Sequence, residues 1–263
     1  MKRLHLFELE DQSWFPALLR DAGTAYIRRV LEWSGHAKLL VPKLREALER
    51  SGEKRLLDLC SGGGGAIPVV VRELERAGLD VRARLTDYYP NEAAFRAIAA
   101  DSSGRIDYAP RPVDATDVPA DEPGLRTLFN AFHHFRPADA RRILGGAVRT
   151  GRPIAVFEIV GRQLLPIVGI LLSPLQVFAL MPFVRPLRAS WLFFTYVVPA
   201  IPLLVLWDGL VSCLRVYSPD ELRELIAGLD APGWTWDVGT IRLGRAPAHA
   251  TYLVGYPPVT ASR

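Results

Sequence analysis

Cysteine is scarce: Cys60 and Cys213 are the only two in 263 residues, and neither belongs to a Cys-x-x-Cys pair or a Cys/His cluster. That excludes a secreted disulfide framework and a cysteine-ligated zinc site, and makes a reducing compartment the default. No Lys/Arg block exists; the formal charge of +4 comes from arginines scattered along the chain, which argues against a nucleic-acid partner. No apolar stretch of signal-peptide length precedes Glu8, Glu10 and Asp11, so the sequence predicts a cytoplasmic chain. Low-complexity tracts and repeats of roughly 20–50 residues are also missing. What is present, 49% apolar residues, suffices for one folded domain spanning residues 1–263.

From Ser13 to Arg50 apolar residues recur at helical spacing (Leu18, Leu19, Tyr26, Ile27, Val30, Leu31, Leu40, Leu44, Leu48), which predicts two or three N-terminal helices within residues 1–50. Residues 55–160 then alternate. Strands are expected over Arg55 to Cys60, Val81 to Asp87, Asp107 to Val113, Leu125 to Asn130 and Pro153 to Val160. Helices are expected over Ala66 to Ala77, Asn91 to Ala100 and Pro137 to Thr150. Short apolar strands joined by amphipathic helices indicate an α/β fold with a doubly wound, mainly parallel sheet, because parallel strands need crossover connections. After an interruption at residues 161–217, Ser218-Pro219-Asp220-Glu221 has the pattern of a capped helix start, running to Ala227. Strands near Trp236 to Arg242 and Thr251 to Tyr256, linked through Gly244 to Ala250, complete residues 218–263 as an antiparallel end to the sheet.

The first strand ends in Asp58-Leu59-Cys60-Ser61-Gly62-Gly63-Gly64-Gly65 and runs into a helix, where a parallel sheet offers its ligand crevice. An ordinary strand-to-helix turn does not need four glycines, so the run points to a ligand approaching the backbone closely. A phosphate-binding P-loop requires Gly-Lys-Ser/Thr, but Ala66-Ile67-Pro68 follows Gly65. A dinucleotide fingerprint requires a third Gly or Ala, and counting from Gly62 and Gly64 lands on Ile67, from Gly63 and Gly65 on Pro68.

These residues resemble class I S-adenosylmethionine-dependent methyltransferases, whose first motif is Asp/Glu-x-Gly-x-Gly-x-Gly. Asp58, Cys60, Gly62 and Gly64 match it, with Cys60 in place of the first glycine and Ser61 beside it. The resemblance implies S-adenosylmethionine as cofactor and further donor contacts in chain order. Asp87, ending strand two, would accept the ribose hydroxyls, with Tyr88 beside the adenine. Asp114, with the Ala115 amide, would read the adenine edge, and Asn130, ending strand four, would line the methionine end. Trp14 and Tyr26 on the capping helices are candidates to line the pocket, although packing explains them equally well.

Methyl transfer from a sulfonium needs in-line placement more than a covalent catalyst. A hydroxyl or ammonium acceptor would also need a base, and His133 and His134 are the candidates by pKa and location. A structural role competes for each, since adjacent residues seldom point to one place. Their adjacency lacks the i,i+4 spacing of a helical metal site, so no metal is expected.

Leu164 to Val184 carries no charge, nor does Ala189 to Trp207; only Arg185-Pro186-Leu187-Arg188 separates them. Each is long enough for a bilayer, but Pro166, Pro174, Pro182, Pro186, Pro199 and Pro202 break straight helices, and a hairpin would carry both arginines across. Three readings stay open for residues 164–207: a shallow contact with the cytoplasmic face of a membrane, a cap over an apolar acceptor pocket, or a homodimer face. Asp208 and Arg215 are expected to pair where the chain re-enters the core. Taken together the sequence predicts a methyltransferase acting on a small, apolar or lipid-like acceptor. A nicotinamide-dependent reductase and a non-catalytic membrane-associated adaptor that keeps the donor pocket are the alternatives.

Overall fold

The computed structural model describes residues 2–245 and 247–258, so Ala246, in the expected link between the last two strands, lies outside the described residues. Two N-terminal helices form, α1 (Ala17–Ser34) and α2 (His36–Ser51), hinged at Gly35 with φ +69°. Such a left-handed residue costs glycine nothing and reverses the chain direction. Leu40, Leu44 and Leu48 line the buried face of α2 as their spacing requires.

The expected alternation follows: β1 (Arg55–Asp58), α3 (Ile67–Arg76), β2 (Arg82–Leu85), α4 (Glu92–Asp101), β3 (Ile106–Tyr108), β4 (Leu125–Phe129), α5 (Pro137–Thr150) and β5 (Ile154–Glu158). Every strand is shorter than the apolar run that announces it. The third differs most. It stops at Tyr108 instead of Val113, because Pro110 and Pro112 cannot donate to a ladder, so Asp114 and Ala115 sit in a loop well past the strand.

The chain closes with α10 (Pro219–Ala227), β6 (Thr235–Arg242) and β7 (His249–Tyr256). The cap at Ser218 forms as the sequence suggests: its hydroxyl accepts from the Glu221 amide, and the Glu221 carboxylate accepts from the Ser218 amide. All seven strands join one sheet in the order β3-β2-β1-β4-β5-β7-β6. The first five are parallel, and β7 pairs antiparallel with both β5 and β6. Every residue of β4 and β5 is buried, as in a sheet covered on both faces. Strand order runs outward in opposite directions from β1 and β4, so their carboxyl ends flank the switch-point crevice.

The prolines cut the apolar insertion into α6 (Leu164–Leu171), α7 (Ser173–Leu180), α8 (Ala189–Tyr196) and α9 (Ala200–Arg215). Among the described residues no single helix is long and apolar enough to cross a membrane. Two bent pairs, broken by 51° and 76°, meet the length and composition together. Its inner face is a third core in which Val177, Met181, Trp191, Ile201 and Val205 pack on Ala22, Ala25 and Tyr26 of α1. Tyr26 is therefore packing against the insertion, and Trp14 is largely exposed.

Asp208 and Arg215 do not pair with each other. Both reach instead to the N-terminal segment, residues 4–12, and strap it across the molecule. The Asp208 carboxylate accepts from the amides of Leu9 (2.8 Å) and Glu10 (3.0 Å). Arg215 donates to the Leu6 carbonyl (2.8 Å) and Asp11 Oδ2 (2.6 Å), and pairs with Glu8 at 3.0 Å. Asp208→Ala removes two charge-assisted bonds from a buried site, so urea denaturation should show a loss of about 3 kcal/mol.

Candidate functional site

Past Asp58 the chain leaves the sheet through a turn in which Cys60 (φ +60°), Gly62 (+54°), Gly64 (+97°) and Gly65 (+45°) are all left-handed. Cys60 thus bears the strain of roughly 1–2 kcal/mol that a glycine would avoid. A ligand is not the only body that requires the glycines. A Cβ on Gly63 would lie 3.1 Å from the Thr24 backbone on α1, and one on Gly64 would lie 2.2 Å from Ile98 Cδ1 on α4. Helix packing therefore accounts for Gly63, and for Gly64 together with its backbone conformation.

Beneath the turn, Asp58 is buried. Its Oδ2 accepts from Ser61 Oγ (2.7 Å) and its Oδ1 from Thr127 Oγ1 on β4 (2.9 Å), while its carbonyl accepts from Thr86 Oγ1 (2.8 Å). Ser61 Oγ also accepts from the Thr86 amide (3.1 Å). Burial pushes the Asp58 carboxyl up to about 7, against these hydroxyl bonds and with the Asp87 charge adding to the rise. Asp58 and Ser61 thus direct their polar atoms at the turn itself.

Asp87 faces the crevice from the end of β2. Its Oδ2 accepts from the Gly62 amide at 2.7 Å and its Oδ1 from the Tyr89 amide at 2.8 Å. Its carbonyl accepts from the Val113 amide (2.9 Å), which draws the loop carrying Asp114 and Ala115 alongside. Asp114 Oδ1 takes the Thr116 amide and hydroxyl, both at 2.8 Å, and Ala115 packs into the core with Leu59 and Cys60. Tyr88 is 55% exposed and meets Tyr89 edge-on at 5.0 Å. The turn after β1 and the loops after β2 and β3 are thereby brought together around Asp87. Asn130 is placed differently: it is left-handed (φ +50°) and its Oδ1 accepts from the Ile159 amide at 2.6 Å, tying β4 to β5.

Behind Asn130 a 3-10 turn, Phe132–His134, sets the two imidazoles side by side, 4.4 Å apart and nearly parallel. His133 is 2% exposed. Its amide donates to Glu158 Oε1 (2.9 Å) and its Nδ1 lies 2.8 Å from Glu158 Oε2. Nε2 has no hydrogen-bond partner and faces Glu8 Oε1 at 3.8 Å. His134 Nδ1 lies 2.7 Å from Asp11 Oδ1 and 3.1 Å from Glu8 Oε2. Glu8, Asp11, Glu158 and Arg215 are not among the residues the sequence singles out for the site. Glu158 carries a signal, a carboxylate inside the apolar run Ile154 to Val160. Glu8 and Asp11 carry none, because only tertiary folding brings the strap over the histidines. A cavity of about 330 Å³ opens beside this group, lined by His5, Asp11, His134, Arg136 and Arg215. A larger one, about 620 Å³, lies between α1, α3 and α4, away from the histidines.

Burial opposes protonation of His134, but Glu8, Asp11 and Glu10 outweigh it and hold the imidazole well above its usual value. Burial also lifts Glu10 to about 8, with Glu8, Asp208 and Asp11 adding and His134 opposing. Asp208 rises to about 6 by burial despite its backbone donors. Asp11 goes the other way: burial is overcome by His134 and Arg215, which hold it below the carboxylate range.

No family model matches the chain, and no characterised protein matches its sequence. In structure it has the Rossmann-like class I methyltransferase fold. It is similar to the plantazolicin methyltransferase BpumL in complex with SAH, with TM-score 0.59 and 11% identity over 95% of this chain and 94% of that one. It is also similar to human N-acetylserotonin methyltransferase in complex with SAM, with TM-score 0.53 and 16% identity over 94% and 60%. A third is NcsB1, an O-methyltransferase from neocarzinostatin biosynthesis in complex with SAM and 2-hydroxy-5-methyl naphthoic acid, with TM-score 0.50 and 16% identity over 86% and 55%. The chain spans about half the length of the first solved structures it matches, 53% to 57%.

The raised groups fix a pH dependence. Asp58, Asp208 and Glu10 keep protons in the folded state that the unfolded chain releases at ordinary carboxylate values, and His134 keeps one that unfolded histidine loses. The folded state then binds more protons than the unfolded, and stability falls as pH rises. Urea midpoints should decline from about pH 4 to about pH 8, with His134 extending the fall above its usual range, and Glu10→Gln should flatten the upper part of that decline.

Proposed function

We propose that the chain is an S-adenosylmethionine-dependent methyltransferase acting on a small, apolar or lipid-like acceptor. The observation that carries this reading is Asp87, whose carboxylate holds the Gly62 amide at 2.7 Å beside the switch point of the sheet. The residues fit the cofactor: the left-handed turn at Gly62, Gly64 and Gly65 leaves its backbone bare of side chains and borders an acidic group suited to a vicinal diol. Asp87 would hold the ribose and Tyr88 the adenine face. Asp114 and Ala115 would meet the adenine edge, and Cys60, Ser61, Gly62, Gly64 and Asn130 would border the rest. Asp58 acts from below by fixing the turn. S-adenosylmethionine supplies an electrophilic methyl group on a sulfonium that leaves as a neutral thioether. The similarity in fold to SAM- and SAH-bound methyltransferases supports this assignment. The reductase and the adaptor gain no such support.

His133 is the base in this reading. The proton of an acceptor hydroxyl or ammonium passes to Nε2, which lies buried against Glu8 and is reached when the strap carrying Glu8 moves aside, while Glu158 at Nδ1 orients the ring. His134, held protonated by its carboxylates, cannot take a second proton. Asp87→Ala should abolish the calorimetric heat of SAH binding. His133→Ala should keep that heat and lower turnover about 100-fold or more. Unchanged SAH affinity in Asp87→Ala overturns the assignment.

Access from a membrane surface suits a lipid-like acceptor. Leu164, Leu175, Val197 and Leu203 of the insertion region are all at least 59% exposed. Phe7 extends this surface, its ring tilted against Trp207 at 5.4 Å. Between Glu158 and Asp208 the sequence carries arginines but no acidic residue, which complements anionic headgroups. The chain should float with phosphatidylserine-containing vesicles and not with neutral ones. A chain that ignores both and sediments as a dimer instead assigns the apolar face to a second copy.

A further inference from the structure

We propose that Glu8, His133 and His134 form a binding site for a divalent transition-metal ion of the zinc or cobalt type. One ligand atom from each of these residues lies within 4.8 Å of the other two, close enough for a single ion to draw all three together. His133 Nε2 is buried with no hydrogen-bond partner, and Glu8, whose Oε2 meets only His134 Nδ1 at 3.1 Å, is fully buried beside it; the two residues are 2% and 0% exposed. Leaving the His133 nitrogen unsatisfied costs free energy, and a cation between it and the Glu8 carboxylate recovers it. The ring of His133 is already set as a ligand: Glu158 holds Nδ1 at 2.8 Å, and this directs the Nε2 lone pair to the other side, the arrangement in which carboxylates orient metal-bound imidazoles. Asp11 Oδ1, 2.7 Å from His134 Nδ1, stands next to the trio as a further oxygen donor.

Charge favours the ion as well. Glu8, Asp11 and Glu158 crowd this region; Arg215, paired with Glu8 Oε1 and Asp11 Oδ2, and Arg3, on the His133 carbonyl, are the cations beside them. Glu8 Oε2 and Asp11 Oδ1 both reach for one proton on His134 Nδ1, which a dication at the same point would replace. Two imidazoles with one carboxylate select zinc, cobalt or nickel over magnesium or calcium, which prefer all-oxygen shells. The cavity lined by Asp11 and His134 brings solvent to the His134 side of the cluster. The spacing along the chain conceals this site, since the histidines share a 3-10 turn, not a helix face, and Glu8 arrives from the far end of the sequence.

Cobalt(II) titration of the full-length chain, after dialysis against a chelator, tests the site. One equivalent should produce visible d–d absorption that zinc displaces and a large excess of magnesium does not. Glu8→Gln, isosteric and uncharged, should abolish the band, and Glu158→Gln should weaken cobalt binding about 10–100-fold by releasing the His133 ring. His36→Ala, outside the cluster, should change nothing. Wild-type protein without a band, or a band that survives intact in Glu8→Gln with native circular dichroism, overturns the proposal. The spectrum needs no methyl transfer, so it stands or falls apart from the function proposed above. Resting on that function, an ion on Nε2 would also block proton uptake, and turnover should return when a chelator strips it. Turnover indifferent to bound cobalt would remove His133 from the proton step and leave the metal site in place.

Discussion

A buried carboxylate organises the carboxyl edge of the sheet. Asp58 is 3% exposed, and through Ser61, Thr86 and Thr127 it joins the ends of three neighbouring strands, β1, β2 and β4. Each bond replaces water that the group gave up on burial, and loss of any donor would leave a lone pair unpaired in a dry interior. The turn above it has little freedom left: the Ser61 amide is taken by the Thr86 carbonyl and the Gly62 amide by Asp87. What could pass for a flexible run of glycine is a fixed bend, with left-handed residues at the positions where the chain has to reverse.

The apolar insertion is connected to both halves of the candidate site. Its inner face packs on α1 through Trp191, Ile201 and Val205 against Ala22, Ala25 and Tyr26. On the same helix α1, Thr24 lies against Gly62 and Gly63, and Arg28 donates to the Gly63 carbonyl at 3.3 Å. Its last helix, α9, carries Asp208 and Arg215, which hold the strap that places Glu8 and Asp11 against the histidines. A displacement of α8 or α9 would therefore be felt at the glycine turn and at His133 alike. That continuity gives a physical route by which anything bound to the apolar face would reach the site.

The sheet was legible because period and punctuation agree: short apolar runs, amphipathic helices between them, and Gly or Pro at the breaks. Ser218 and Glu221 could even be read as a reciprocal cap. The strand ends were less legible, since an apolar residue such as Leu59 or Ile159 looks the same inside a strand as in the turn beyond it. Within the site, Asp87 beside Gly62 could be anticipated from motif order, whereas the absorption of Ser61 and Asn130 into backbone support could not. Nor could Glu8. A carboxylate in a polar N-terminal stretch is ordinary in sequence, and it becomes unusual only when Asp208 and Arg215, some two hundred residues on, fold it into the interior.

The histidine cluster is where local cost and chemical use coincide. Burying several carboxylates together raises Glu10 and Asp208 and forces a proton onto His134, all of which disfavour folding toward alkaline pH. An apolar strap would pack the same surface without that cost. The arrangement leaves one nitrogen, His133 Nε2, unbonded and oriented by Glu158 toward Glu8. A lone pair held in that way can receive a proton or coordinate a cation, but not both at once. The geometry on which the proposed proton transfer to His133 rests thus makes it sensitive to whatever else competes for that position.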